Sequence, residues 1–340
     1  MNINLLSRQE IDPEKWEQYI SGCYNAVIYA ASWYLDLVCP RWAAFVWEES
    51  GKYQAVMPVP LQRKFGVWVV QQPFYCQYLG VFSEQPLNDK ILQVFVNRLC
   101  STFRYISTYS FCPENGSTFG QKFRTIDQVK PDFSVSHTHW LIRPDNIEDI
   151  FKTYSSERRR DFRRAKAFTW DLEMSSDPQS IIDLFRRHHE GKMKGEINGK
   201  AYALLESIVA SAALKNSLWL GYARKCDMTH AGALILMQYG RAIYLFNASD
   251  VHGRKGHART WLLTHYLTAM AAGSIFDFES PDIKTISKFY RGFGAKPMPF
   301  VSIQQNRLYF PFNVLQAWRK WFLIKFQVRL KALKILNIHF

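Results

Sequence analysis

One segment of the sequence combines several features that bind anions. Residues 247–258 read Asn-Ala-Ser-Asp-Val-His-Gly-Arg-Lys-Gly-His-Ala, between a strand-like stretch at 241–248 and a helical pattern at 258–272. Glycines expose backbone N–H groups, and the start of a helix carries partial positive charge, so such a junction suits a pyrophosphate. A basic loop that merely caps a helix is the alternative. The candidate ligand-binding residues are Asn247, Gly253, Arg254, Lys255, Gly256, His257 and Ala258.

A second segment brings acids into an apolar strand. Residues 275–279 read Ile-Phe-Asp-Phe-Glu, and strand alternation places Asp277 and Glu279 on one face, about 7 Å apart. A buried carboxylate with a raised pKa can act as a general base, and Tyr290 could act as the matching general acid. The alternatives are structural: an acid paired with arginine or capping the helix that begins near Ile283, and a core tyrosine. No Ser/His/Asp or Cys/His arrangement indicates a covalent intermediate.

A concentrated basic stretch lies at 155–166, Ser-Ser-Glu-Arg-Arg-Arg-Asp-Phe-Arg-Arg-Ala-Lys. With Ser155 or Ser156 as the N-cap, it predicts a helix whose arginines contact phosphates or carboxylates. The alternative is an ordinary solvated helix face. The candidates for acceptor or anion binding are Arg159, Arg160, Arg163 and Arg164.

Composition narrows the class of protein. A formal charge of +14 favours an anionic partner, namely nucleic acid, a phosphorylated small molecule or an anionic membrane face. The six scattered cysteines and a start without a signal-peptide pattern predict reduced thiols and a cytoplasmic location. The histidines lack partners at metal-ligand spacing, so we expect no metal site. The tail from Trp318 is basic, aromatic and free of acids, which predicts a helix that either lies on the inner membrane leaflet or packs on the fold.

Hydrophobic periodicity predicts an α/β (α+β) chain in two halves with a similar order of elements. The turn at Arg143-Pro144-Asp145-Asn146 is the expected boundary. We therefore predict an N-terminal domain at 1–143, a C-terminal domain at 144–312 and a basic helix at 313–340. A family resemblance, carried by the segments quoted next, implies that each domain contains a mixed, mostly antiparallel sheet flanked by helices.

Two of these segments resemble the GNAT superfamily of N-acyltransferases. That family carries Arg/Gln-x-x-Gly-x-Gly/Ala at its phosphate turn, and residues 253–258 match at Gly256 and Ala258 but have Gly253 in place of Arg or Gln. Residues 288–294, Lys-Phe-Tyr-Arg-Gly-Phe-Gly, resemble the family's segment whose tyrosine protonates the leaving thiolate. The Fem-like branch, which includes proteins with a BioF-type acetyltransferase domain, is similar and has two GNAT-like halves. The resemblance implies acyl-coenzyme A as co-substrate, its pantetheine along 241–248 and its pyrophosphate on 253–258.

Three functions follow as hypotheses. The first is acyl transfer from a thioester, acyl-CoA above all, to an amine on a small-molecule or cell-envelope acceptor by direct attack. The second is a Fem-like transferase that uses aminoacyl-tRNA and acts on a cell-envelope precursor. The third is a basic, non-enzymatic protein that binds nucleic acid or a membrane surface.

Overall fold

The computed structural model describes residues 1–64, 66–116, 131–188, 199–280, 283–316 and 318. Within these residues the chain divides into two compact units. The first comprises 1–136 and 299–318, and the second comprises 137–298. No described helix is long and apolar enough to cross a membrane.

The first unit contains two sheets. One has the order β1-β2-β3 and the other contains β4-β5-β6-β13, of which only β5 and β6 pair in parallel. Its elements are β1 (Ile3–Ser7), α1 (Pro13–Gly22), α2 (Ser32–Val38), β2 (Ala43–Glu49), β3 (Lys52–Val59), β4 (Leu61–Lys64), β5 (Val67–Gln71), α3 (Asp89–Thr102), β6 (Tyr105–Ser110), α4 (Pro113–Gly116) and β13 (Lys296–Asn306). Helix α1 follows the N-cap Asp12, and helix α3 follows the N-cap Asn88.

The second unit contains strands in the order β7-β12-β11-β10-β9-β8, antiparallel throughout except for β11 and β12. Its elements are β7 (Asp132–Ile142), α5 (Ile147–Thr153), α6 (Ser156–Ala167), β8 (Asp171–Met174), α7 (Gln179–His188), α8 (Gly199–Leu214), β9 (Leu218–Lys225), β10 (Met228–Gln238), β11 (Arg241–Ser249), α9 (Val251–Lys255), α10 (Ala258–Ala269), β12 (Ile275–Asp277) and α11 (Lys284–Arg291). The prediction of an α/β fold with mostly antiparallel sheets and flanking helices is confirmed.

The compact units differ from the predicted domain limits at both ends. The first unit ends at Ser136 rather than at 143, and the segment from Pro299, placed by the sequence in the C-terminal domain, lies in the first unit. Strand β13 explains the second difference, because Ser302 to Asn306 pair with β6 of the first unit. Of the predicted basic helix at 313–340, residues 317 and 319–340 lie outside the described residues.

Candidate functional site

The two central strands of the second unit separate where the candidate residues lie. Strands β11 and β12 pair in parallel only from Arg241 with Ile275 to Ile243 with Asp277. Strand β11 continues to Ser249, and its register with β10 shifts at Leu234/Ile235, which leaves Leu245 as the extra residue of a bulge. Bulges bend a strand and redirect side chains, and they are frequent beside active sites. The sheet therefore opens beyond Ile243, toward the end of β11 that leads into α9.

A cavity of about 330 Å³ lies at this end of the unit. It brings together the first turns of α6 and α10, the helix α9 and the start of α11. Its charged lining is mostly cationic: Arg158, Arg254, Arg259 and Lys288, with His257, against Glu157 and Asp161. Glu157 is paired with Lys288 at 3.2 Å, and Asp161 with Arg158 at 3.3 Å. The net charge of the lining suits an anion.

The predicted glycine turn is a helix, which corrects one part of the sequence interpretation. Residues Val251–Lys255 form α9 with Asp250 as N-cap. The Gly253 N–H donates to Asp250 Oδ1 at 2.7 Å, and the Gly256 N–H donates to the His252 carbonyl at 2.9 Å. Neither amide is therefore available to a phosphate.

Both glycines instead permit close packing. A Cβ on Gly253 would overlap the His230 carbonyl, and one on Gly256 would overlap the rings of Trp170 and Phe168. The Trp170 Nε1 also donates to the Gly256 carbonyl at 2.9 Å. At this junction the two glycines therefore serve packing and do not present free amides, contrary to the sequence interpretation.

The helix whose first turn faces the cavity is α10, which begins at Ala258, two residues after Gly256. Its N-cap, His257, has a left-handed backbone (φ 51°) and makes no side-chain cap. The first amides of an α-helix have no partner within the helix, so this first turn presents donors and partial positive charge. His257, Arg259 and Thr260 line the cavity here, and Ala258 is buried.

Arg259 connects the cavity with the interior of the unit. Its guanidinium lies 3.9 Å from the centre of the Phe289 ring, and its Nη1 donates to Asn247 Oδ1 at 3.3 Å. Its charge also lowers the pKa values of Tyr244 and Tyr290, against the larger effect of burial, which raises both. The predicted residue Asn247 is thus buried and holds this cation.

Arg158, the one arginine of α6 that lines the cavity, is buried. Its Nη1 donates to Thr260 Oγ1 at 2.7 Å, and its guanidinium lies over Phe289 at 4.0 Å and Phe293 at 4.7 Å. Burial lowers its pKa to about 10, with Asp161 opposing that change. Arg158 therefore remains a fixed cation at neutral pH.

The four arginines predicted to bind an acceptor or anion lie elsewhere on the same helix. Ser155 is its N-cap and accepts from the Arg158 N–H at 3.1 Å. Arg159, Arg160, Arg163 and Arg164 are exposed and do not line the cavity. Lys255 is likewise exposed, on α9. Arg254 lines the cavity and donates to the Ser249 carbonyl at 2.6 Å.

Asp277 is the last residue of β12 and has a full set of hydrogen-bond donors. Its carboxylate accepts from the Thr138 hydroxyl, from Trp140 Nε1 at 2.8 Å and from the Glu279 N–H at 2.8 Å. Thr138 and Trp140 belong to β7, so the carboxylate ties that strand to the residue that follows β12. A carboxyl that accepts three hydrogen bonds in this way is typical of a structural role.

Glu279 is in a different environment. Strand alternation does not reach it, because β12 ends at Asp277 and Glu279 has a left-handed backbone (φ 46°). Its side chain is fully buried, and neither carboxylate oxygen has a hydrogen-bond partner among the described residues. Burial raises its pKa well above the usual range. A strained, buried, unpaired carboxyl costs free energy, and such costs are concentrated at functional sites.

Tyr290 lies on α11, near Glu279. Its ring stacks on Phe278 with centroids 4.5 Å apart and meets Tyr244 edge-on at 6.4 Å. Burial raises its pKa well above 10, the Arg259 charge opposes this, and the Glu279 charge adds to it. The residue therefore remains a neutral phenol that can donate a proton. His139, whose Nδ1 is hydrogen-bonded to the Ser280 hydroxyl, lies 6.3 Å from it between ring centres.

Sequence reasoning missed Arg158, Arg259 and Thr260. Arg259 directly follows the predicted turn, so its position at a helix start was a usable signal. For Arg158 there was no such signal, since nothing in a run of arginines marks the one that is buried. No group of histidines, cysteines and acids in the described part of the chain could hold a metal ion.

Comparison with known proteins adds independent information. Residues 151–281 match the family model of the acetyltransferase (GNAT) domain. This range contains α6, the separating strands, α9, α10, Asp277 and Glu279. No curated protein sequence matches the chain.

Solved structures with the same fold cover nearly the whole chain. FemX is 12% identical with a TM-score of 0.58, covering 88% of this chain and 97% of its own. The C-terminal domain of a protein described as a candidate lysylphosphatidylglycerol synthetase, from Agrobacterium fabrum, is 12% identical with a TM-score of 0.52, covering 93% and 98%. A tandem GNAT protein of the clavulanic acid biosynthesis pathway is 9% identical with a TM-score of 0.51, covering 89% and 98%. At these identities the likeness establishes the fold, with two GNAT-like halves.

Proposed function

The chain is a GNAT-superfamily acyltransferase whose acetyltransferase domain includes residues 151–281, and from this premise we propose that it transfers an acyl group from acyl-CoA to an amine by direct attack. The observation that carries the proposal is the cationic cavity at the start of α10, beside the point where β11 and β12 separate. The enzyme class excludes the third hypothesis, a purely binding protein.

The donor's pyrophosphate would be held by chain groups of three kinds. Arg259 and Arg254 supply charge-assisted hydrogen bonds, the first turn of α10 supplies backbone amides, and the buried Arg158 supplies a fixed charge. Each kind is present in one cavity, so the residues fit a pyrophosphate. The donor supplies the activated thioester, and its arm would follow the edge of β11 that β12 leaves unpaired after Ile243.

Glu279 and Tyr290 supply the proton transfers. An ammonium acceptor must lose a proton before its nitrogen can attack the thioester carbon. This first proton goes to solvent, and the neutral amine attacks. The Glu279 carboxylate, with its raised pKa, takes the second nitrogen proton as the C–N bond forms, and Tyr290 gives its proton to the sulfur as the C–S bond breaks. Glu279 then releases its proton and the Tyr290 phenoxide regains one, which leaves the amide and the coenzyme A thiol as products. Asp277 is a positioning residue in this scheme, because it holds the Glu279 N–H.

The acceptor in this proposal is an amine, carried by a small molecule or by a cell-envelope precursor. FemX and the synthetase from Agrobacterium fabrum share the fold, which is compatible with envelope substrates but does not select among them.

An aminoacyl-tRNA donor is the second candidate, and one observation favours it. Arg159, Arg160, Arg163 and Arg164 are exposed on the same helix as the cavity-lining Arg158. A polynucleotide could contact them, and its affinity would fall steeply with salt, because each neutralised phosphate releases counterions. Acyl-CoA has too few phosphates for so steep a dependence.

Isothermal titration of the full chain with acetyl-CoA and longer acyl-CoAs tests the leading proposal. We expect binding by the wild type and a roughly tenfold or greater loss in Arg259→Met, since a hydrogen bond to a charged group contributes about 1.5–3 kcal/mol. Arg187→Met, an exposed arginine of α7, is the matched control and should bind normally. If the folded protein binds no acyl-CoA but binds charged tRNA in a salt-dependent manner, the second candidate replaces the first.

A further inference from the structure

The last described segment of the chain carries an unusual set of exposed side chains. Tyr309 is 68% exposed, Phe310 81%, Phe312 59%, Leu315 60% and Trp318 65%. We call these five residues the aromatic surface. Contiguous exposed apolar side chains in a folded protein mark an interaction site.

This segment is hydrogen-bonded to the first unit at several positions. The Arg307 N–H donates to the Arg104 carbonyl at 2.7 Å, which continues the pairing of the segment with the first unit. Gln316 Nε2 donates to the Tyr105 hydroxyl at 2.6 Å, and Asn306 Nδ2 donates to the Asn313 carbonyl at 3.1 Å. The segment is thus held at both ends, while the side chains of Phe310 and Phe312 remain exposed.

The sequence that contains the aromatic surface and follows it is basic. The Arg104 guanidinium lies 3.8 Å from the centre of the Tyr309 ring. From Arg307 to the end, the sequence contains seven lysines and arginines and no acidic residue. Half of the chain's net charge of +14 therefore comes from its last 34 residues.

We propose that the aromatic surface docks on an anionic lipid bilayer. Tryptophan, tyrosine and phenylalanine beside cations match the membrane interface, where rings enter the headgroup region and arginines meet lipid phosphates. Membrane docking does not depend on acyl transfer, so each can be tested without the other.

A second copy of the chain fits this surface less well. A two-fold contact would place the same cationic segment opposite itself, and like charges in contact are destabilising. A bilayer that contains phosphatidylglycerol offers the opposite charge over a wide area. Charge complementarity therefore selects the lipid surface.

Flotation with vesicles tests the proposal on the full chain. Vesicles of phosphatidylcholine alone are compared with vesicles containing 30% phosphatidylglycerol (roughly the charge density of an anionic leaflet). We expect binding to the anionic vesicles only, weakened by high salt because screening reduces the attraction. Phe310→Ser with Phe312→Ser should lower the partition coefficient on the order of tenfold, as expected for two rings that lose part of their burial.

The matched control places the same substitutions on exposed apolar residues of the second unit, Leu214→Ser with Met228→Ser. This control should bind like the wild type. Three results would overturn the proposal: no binding of the wild type to anionic vesicles, equal loss in the control, or an unchanged partition coefficient in the Phe310/Phe312 variant. A dimer in solution that this variant dissociates, without vesicle binding, would identify the surface as a contact between copies.

Discussion

Replacing Glu279 by glutamine should change stability and activity in opposite directions. The substitution keeps the size of the side chain and its Cβ, so the backbone strain at φ 46° remains. It removes a carboxyl that is fully buried and has no hydrogen-bond partner among the described residues. A glutamine in this place carries no charge at any pH, so it never incurs the cost of a buried anion.

The effect on stability depends on pH in a defined way. Burial raises the pKa of Glu279 in the folded state well above 4.5, its value in the unfolded chain. Between these two pKa values the folded state binds the extra proton. The wild-type free energy of unfolding therefore falls as pH rises, by about 1.4 kcal/mol per pH unit, until the folded-state pKa is passed. The glutamine variant lacks this slope, so its advantage over the wild type grows with pH above about 4.5.

Urea unfolding at pH 5, 6, 7 and 8 measures this difference. Glu206→Gln, an exposed glutamate of α8, is the control and should run parallel to the wild type. A difference between Glu279→Gln and the wild type that does not change with pH would refute the reasoning. So would a variant that becomes less stable relative to the wild type at higher pH, since that would require an ionised Glu279 stabilised by a partner.

The same variant should lose turnover. Loss of a general base lowers kcat by a factor of about 10²–10⁴, and here it would do so in a protein that is more stable than the wild type. Release of coenzyme A thiol in the presence of a panel of amines measures kcat. The wild-type rate should rise with pH as Glu279 ionises, and the variant should lack this dependence. Retention of the wild-type kcat would remove Glu279 from the mechanism.

Three further predictions concern the surroundings of Glu279 and the helix junction. Tyr290→Phe keeps the stacking on Phe278, so kcat should fall about 10²-fold while KM changes little; an equal change in both would indicate a binding role. Asp277→Asn replaces an oxygen that accepts hydrogen bonds by an NH2 group that faces other donors, so the free energy of unfolding in urea should fall by about 1–3 kcal/mol. An unchanged stability would contradict the three hydrogen bonds to this carboxylate. Gly256→Ala should lower the free energy of unfolding by about 1–3 kcal/mol, because the added Cβ would overlap Trp170. Gly199→Ala is the control and should not lower it, since nothing lies within 4 Å of that Cβ. Equal stabilities of the two variants would contradict the packing role.

Much of the fold was readable because it depends on local patterns. Ser155 is an N-cap as predicted, since a short polar side chain before a helix can accept a hydrogen bond from the backbone of its first turn. The junction of β11 with the following helices was recognised from glycine and cation content, and the GNAT resemblance is confirmed by the family match over residues 151–281.

The glycine roles could not be read in the same way. A glycine that exposes its amide and a glycine that admits a neighbouring ring look identical in sequence. Only packing against Trp170 and Phe168 distinguishes them at Gly256. The pairing of β13 with β6 could not be read either, because it joins residues about 190 to 200 positions apart, and sequence periodicity carries no signal of such a pairing.

By itself, the sequence determined the class of fold, the excess of positive charge and the two segments in which the candidate residues lie, because these depend on residue type and on periods of two and 3.6 residues. Only the tertiary structure decided which of two neighbouring acids is satisfied and which is left unpaired. Asp277 meets Thr138 and Trp140 from a strand that lies far away in sequence, whereas Glu279 meets no such donor among the described residues. Burial and hydrogen bonding are relations between distant segments, and it is these relations that give the carboxyl of Glu279 its raised pKa.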